Sequence, residues 1–322
     1  MTNFGYTLMT EQSGPRELVR YAQKAEDVGY DFEVSSDHAF PWLESMGHAP
    51  YAWTVLGAVA QVTSTVELMT YVTCPTIRYH PAVVAQKAAT LQILSEGRFT
   101  LGLGAGENLN EHIVGERWPA VGERQDMLEE AIHIIRALES GDVVTWEGTH
   151  FRVDQAKLWD VPDGGVPIGV AVSGAKGIER FAPLGDHMIT TDPVPELVQG
   201  WDEHHQGAPS RKIGQIPICW DPDEDAAVAR AHDLFRWFAG GWHVNADLPT
   251  PASFDSASQF VRPEDVAESI ACGPDLDRLA ESVRPFLDAA FTDIAIVQVG
   301  DEGQDRFLDE AAGPLLEKLR AL

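Results

Sequence analysis

Val34-Ser35-Ser36-Asp37-His38-Ala39-Phe40-Pro41-Trp42 is the stretch on which the reading of the fold turns, and Gly47-His48-Ala49-Pro50 follows it. A short stretch from Phe32 to Val34, apolar at its two ends around Glu33, has the look of a buried strand, and it breaks into Asp37-His38 at its C-terminal end. Pro41 and Gly47 mark the loop beyond. An acid next to a histidine at the mouth of a buried strand is where a β/α barrel keeps its chemistry. The unperturbed pKa of histidine lies nearest neutrality, so His38 can take or give a proton there. Taken alone, the dipeptide favours a plainer reading, with Asp37 as a helix cap and His38 as a packed loop residue. Its company along the chain reverses that preference.

Apolar strands and helices alternate on both sides of this stretch. Phe4 to Met9 reads as the first strand, with Glu11 just after it and a helix from Pro15 to Val28. The third strand, Val66 to Val72, ends in Thr73-Cys74-Pro75, and the fourth, Arg98 to Leu103, runs into Gly104-Ala105-Gly106-Glu107. Strand five, Pro167 to Val172, closes in Ser173-Gly174-Ala175-Lys176-Gly177. Strand six, His187 to Thr191, strand seven, Ile213 to Cys219, and strand eight, Asp293 to Val299, complete the series. Val143 to Val153 reads as a hairpin decorating the barrel, and Gly240 to Arg262 as an insertion. Eight strands alternating with helices argue for one (β/α)8 TIM barrel over residues 1–322, with an open doubly wound sheet as the alternative. Both place function at the C-terminal ends of strands.

Composition narrows the partners. The chain has 322 residues and a net charge of -27, with lysine scarce. Such a surface repels phosphate backbones and anionic lipid, which excludes nucleic acid and membranes as partners and leaves a small-molecule substrate. No apolar run reaches membrane-spanning length, and Met1-Thr2-Asn3 opens no signal peptide, so a cytoplasmic location is expected. Cys74, Cys219 and Cys272 lie far apart without a CxxC, which fits a reducing compartment and no disulfide framework. No metal site is expected, since His204-His205 has no matching ligand spacing.

Acids, a histidine and small residues therefore gather after the strands. Glu107 follows Gly104-Ala105-Gly106, where backbone can come close to a flat ligand, and its carboxylate can exchange a proton with a heteroatom of that ligand. The plainer role for Glu107 is to cap the next helix. Ser173 to Gly177 joins a strand to a helix N-terminus, whose free N–H groups suit a phosphate, although an ordinary βα turn accounts for it equally well. Gly102 to Gly106 lacks the third glycine of a dinucleotide fingerprint. Trp42, Trp53 and Trp242 either line a pocket or fill core.

Several blocks in order resemble a known family: Ser36 to Trp42, Gly47 to Pro50, Arg78-Tyr79-His80-Pro81-Ala82-Val83, Gly104 to Glu111, and Val161 to Pro167. They are similar to the deazaflavin (coenzyme F420)-dependent glucose-6-phosphate dehydrogenases of the luciferase-like barrel superfamily. The resemblance implies a barrel that binds F420 at the C-terminal ends of its strands and moves a hydride between substrate and ring. On that basis His38 would remove the substrate hydroxyl proton and Glu107 would exchange a proton at the ring nitrogen. Trp42 and Glu11 would shape the site around the substrate. Asp37, Tyr71, Val72, Cys74, Ala105, Gly106 and Asn110 would line the cofactor, with a cis peptide bond at Tyr71-Val72. Ser173, Gly174, Lys176 and Gly177 would hold its phosphate.

The group's phosphate-binding threonine is matched by Thr191. Its two lysines fall at Val194 and Trp242, its arginine near Ser269, and a neighbouring histidine at His243. Losing these cations leaves little to bind a phosphate dianion. The expected substrate is therefore an uncharged alcohol, aldehyde, ketone or activated alkene. Sugar-phosphate oxidation, an FMN-dependent monooxygenase and a non-catalytic deazaflavin carrier stand as alternatives. The family resemblance also implies a homodimer.

Overall fold

The computed structural model describes residues 2–322; Met1, where the reading of the N-terminus begins, lies outside them. Strands β1 (Asn3–Leu8), β2 (Phe32–Ser35), β3 (Glu67–Thr70) and β4 (Phe99–Leu103) pair in sequence, all parallel. A two-stranded antiparallel hairpin, β5 (Val144–Glu147) and β6 (Arg152–Ala156), interrupts the series. The sheet resumes with β7 (Ile168–Ala171), β8 (His187–Ile189) and β9 (Lys212–Cys219). After the two-residue strand β10 (Ala271–Cys272), β11 (Asp293–Gln298) pairs with both β9 and β1, which closes the ring. Leaving out β10 and the hairpin, eight parallel strands form a (β/α)8 barrel, as the sequence predicts.

The strands are buried on both faces, and β2 shows the inner one. Phe32 and Val34 join Met69, Ile189, Ile213 and Ala295 in one buried cluster, drawn from strands around the ring and therefore inside it. Neighbouring strands send Phe4, Tyr6 and Leu68 outward into the larger core beneath the helices. A parallel sheet covered on both faces needs this double burial. Helix α1 (Pro15–Val28) starts on a proline and stops at Gly29, whose φ of 100° supplies the left-handed C-cap. Helices α2 (Ala52–Val62) and α3 (Pro81–Leu94) follow β2 and β3. The one-turn helix α4 (Asn108–Glu111) and the long α5 (Val121–Leu138) follow β4.

Two sequence readings shift. The Gly240 to Arg262 stretch is not irregular throughout, since it contains short helices at Trp242–Asn245 and Pro251–Ser258. Cys219 and Cys272, remote in sequence, are register partners of β9 and β10, and both are buried free thiols. Among the described residues no helix is long and apolar enough to cross a membrane.

Candidate active site

Each barrel strand hands its next residues to the same mouth. Glu11 follows β1, His38 follows β2, Thr73 and Cys74 follow β3, and Glu107 follows β4. These groups converge. His38 Nδ1 lies 3.0 Å from the carbonyl oxygen of Phe40 and 3.5 Å from Glu11 Oε1. Both are acceptors, so Nδ1 carries a ring proton. Nε2 in turn lies 3.4 Å from Glu107 Oε2. Burial pushes the Glu107 carboxyl up from its ordinary pKa, the His38 side pulls it down, and the Glu11 charge adds to the upward shift. The result is a base and a raised acid side by side.

Glu11 is buried and held by three donors: Trp42 Nε1 at 3.0 Å, Thr10 Oγ1 at 3.2 Å and the Ser36 hydroxyl. Trp42, fixed through that bond, packs against the His38 ring with centroids 4.8 Å apart. Its indole also stacks on Trp237 at 4.0 Å, almost parallel, and meets the edge of Phe254 at 5.1 Å. One side of the site is thus an aromatic wall.

Asp37 is a structural anchor. Its side-chain oxygens accept from Trp53 Nε1 at 3.0 Å, Thr73 Oγ1 at 2.7 Å, Arg78 Nη2 at 3.1 Å and Tyr79 OH at 3.0 Å. Four donors leave that carboxylate little capacity for a ligand, in contrast to the cofactor contact implied for it. The same bonds give Trp53 a polar role that aromatic core alone would not. Arg78 also donates to the Asp37 carbonyl at 2.6 Å, which pins the backbone next to His38.

The backbone at the end of β4 is shaped for close approach. A Cβ on Gly104 would fall 2.6 Å from Val72 Cγ2, and Gly106 sits at φ 97°, where other residues are strained. The Tyr71–Val72 peptide bond is cis. Around Gly106, the buried Thr76 hydroxyl and Glu111 Oε1 have no hydrogen-bond partner among the described residues. Burial lifts Glu111 to about 7, against the pull of Arg78. Gly104 and Gly106 are themselves buried, and the space a Cβ would take there is filled by Val72 beside Gly104 and by Thr76 and Glu111 beside Gly106. Cys74 lines this region as a buried thiol, pushed up in pKa by burial. Ala105 and Asn110 lie beside it.

The other sequence-predicted residues are spread more widely. Ser173 and Lys176 are exposed, and Gly174 and Gly177 flank them at the start of α6 (Ala175–Phe181). Thr191 is exposed beyond β8. Trp242 is 48% exposed and His243 is also exposed, and the indole that packs on Trp42 is that of Trp237. Nothing in the spacing of Trp237 marks it in advance. Among the described residues no cluster of histidine, cysteine, aspartate and glutamate could hold a metal.

The chain is similar over its length to known proteins. The family model described as luciferase-like monooxygenase matches residues 1–293. The F420-dependent glucose-6-phosphate dehydrogenase of Amycolatopsis mediterranei is 35% identical, covering 100% of both chains. That of Nocardia farcinica is 34% identical over 99% of this chain and 98% of its own. An F420-dependent secondary alcohol dehydrogenase, solved with an F420–acetone adduct, superposes with a TM-score of 0.87 at 30% identity, covering 97% of this chain and 98% of its own. The chain belongs to the luciferase-like monooxygenase family.

Proposed function

We propose that this member of the luciferase-like family is a coenzyme F420-dependent oxidoreductase acting on a small, uncharged alcohol or on the matching carbonyl compound. F420, when bound, supplies the hydride acceptor or donor. The rest is the work of this chain's own residues. His38 Nε2, with its proton-bearing Nδ1 held on Phe40, takes the hydroxyl proton of an alcohol or returns it to a carbonyl oxygen. Glu107 gives or takes the balancing proton at the ring nitrogen. Gly104, Ala105, Gly106, Tyr71, Val72 and Cys74 form the surface for the ring. Ser173, Gly174, Lys176 and Gly177 serve its phosphate, and Thr191 sits at the substrate entrance.

The observation that carries the substrate class is the aromatic packing beside His38, with Trp42 stacked on Trp237 at 4.0 Å. Arg236, next to Trp237 in sequence, is paired with Asp255, and Arg230 and Arg262 are paired with Asp221 and Asp265. An aromatic wall without a committed cation for phosphate favours a neutral substrate over glucose 6-phosphate. The relatives named for glucose 6-phosphate supply the competing reading, and the secondary alcohol dehydrogenase supports this one.

A cytoplasmic homodimer belongs to the same proposal. Helix α2 has no charged residue and α3 only Lys87, while Val62, Val83, Ile93 and Leu94 are exposed on them. Helices this apolar on the outside of so acidic a chain suit a second copy as their cover.

The experiment is a spectroscopic titration of the purified chain with oxidised F420 and with FMN, followed by a panel of alcohols and sugar phosphates. Tight F420 binding with turnover of neutral alcohols supports the reading. Binding of FMN alone, with oxygen consumption, moves the chain to the monooxygenase alternative.

A further inference from the structure

We propose that Asn110 is the positioning residue of the proton-transfer pair, tying the loop that carries His38 to the carboxylate of Glu107. This inference rests on the hydride-transfer reading above and adds to it a residue that touches neither reacting atom. Asn110 is nearly fully buried in α4. Its Oδ1 accepts the backbone N–H of Ala39 at 2.8 Å and that of Phe40 at 3.4 Å. Its Nδ2 donates to Glu107 Oε2 at 3.1 Å. Backbone N–H groups only donate, so they set which way the amide faces, and its NH2 group is left to the carboxylate.

The contacts close a ring. Asn110 holds the N–H of Phe40, and the carbonyl of the same Phe40 accepts from His38 Nδ1 at 3.0 Å. At the other end, Glu107 Oε2 is the oxygen that lies 3.4 Å from His38 Nε2. His38, Phe40, Asn110 and Glu107 therefore hold one another in place. The base cannot swing without disturbing Phe40, and the acid cannot swing without losing Nδ2. A pair that must alternate between proton-bearing and proton-free forms needs this fixity, because a displacement of about 1 Å costs about 100-fold in rate.

The amide also acts on the charge of Glu107. A donated N–H stabilises the carboxylate form and opposes burial. The other ionisable groups facing Glu107 are His38 and Arg78, which favour the carboxylate, and Glu11, which opposes it.

The test uses the full-length protein and the variants Asn110→Ala and Asn110→Asp. F420 affinity, kcat, KM and the pH profile are compared with those of the unaltered chain, and the Glu107 limb is identified by its loss in Glu107→Gln. At saturating F420, Asn110→Ala is expected to lower kcat by about 100-fold and move the Glu107 limb to higher pH, beyond any change in F420 affinity that follows from its place beside the cofactor. Asn110→Asp keeps the acceptor for Ala39 and Phe40 but sets a second carboxylate against Glu107, so the limb moves further up. An unchanged kcat and limb, or a loss of F420 affinity alone, overturns the proposal. Carbon-13 NMR of the Glu107 carboxyl in the resting protein reads the same tie without turnover. If that titration is unchanged in Asn110→Ala, the proposal fails whatever the reaction is. If it shifts while no alcohol is turned over by the unaltered chain, the positioning role stands and the hydride-transfer reading fails.

Discussion

His38 Nε2 and Glu107 Oε2 lie 3.4 Å apart, one residue delivered by the end of β2 and the other by the end of β4. The imidazole holds an Nδ1 proton on the Phe40 carbonyl, and the carboxyl is raised by burial. Two groups with opposite proton demands share one place, which is what alcohol oxidation requires: a base for the hydroxyl and an acid for the ring.

Replacing His38 by alanine removes the base but leaves the β4 backbone that faces the cofactor. Alcohol oxidation should fall by about 10²–10⁴-fold, with F420 affinity nearly unchanged by fluorescence titration. Undiminished turnover in His38→Ala would refute the role.

Glu107 fixes the sign of one pH limb. In the proposed mechanism, oxidation of an alcohol uses its protonated form, and its folded pKa lies above the ordinary carboxylate value. The rate of oxidation should therefore fall as pH rises through that raised pKa, and the limb should vanish in Glu107→Gln along with most of kcat. A Glu107→Gln profile that still shows the limb assigns it to another group.

Asp37 should matter to stability before it matters to chemistry. Its removal strands the buried Arg78 guanidinium and three further donors. Breaking a buried ion pair of this kind costs about 3–5 kcal/mol, and Asp37→Ala should show that loss in urea unfolding. A variant that unfolds like the parent yet no longer binds F420 would return Asp37 to a cofactor role.

Glu26 ties α1 to the approach of β3. Burial opposes its ionisation, but the N–H groups of Thr65, Val66 and Ser64 outweigh that and hold the carboxyl at about 2. A depressed folded pKa stabilises the fold above the ordinary carboxylate pKa, and that stability is lost as pH falls towards 2. The gap in urea midpoint between parent and Glu26→Gln should be widest near neutrality and shrink through that acid window. A gap independent of pH would mean the carboxylate charge contributes nothing.

The barrel was legible because short strands rich in apolar residues alternate with helices and each strand ends in a polar or glycine-rich break; Phe32 and Val34, ending in Asp37-His38, carry both signs. Glu11, His38 and Glu107 were legible for the same reason, as polar residues at strand ends. What stayed hidden depends on long-range contacts. Trp237 reaches Trp42 only through the packing of the segment after α8 (Glu224–Phe235), and no local pattern separates it from the exposed Trp242. Cys219 and Cys272 become neighbours through a two-residue strand too short to leave a periodic signal. Asp37 looks like a free strand-end acid until its donors arrive from α2, the end of β3 and the turn before α3.

The central claim is hydride transfer between F420 and a neutral substrate at His38 and Glu107. Its most direct test is the ratio of kcat/KM for a small secondary alcohol to that for glucose 6-phosphate, followed as reduction of F420 by the same preparation. A ratio well above one, abolished in both His38→Ala and Glu107→Gln, is the predicted result. Faster reduction by glucose 6-phosphate would contradict it and make the chain a sugar-phosphate dehydrogenase despite its aromatic wall.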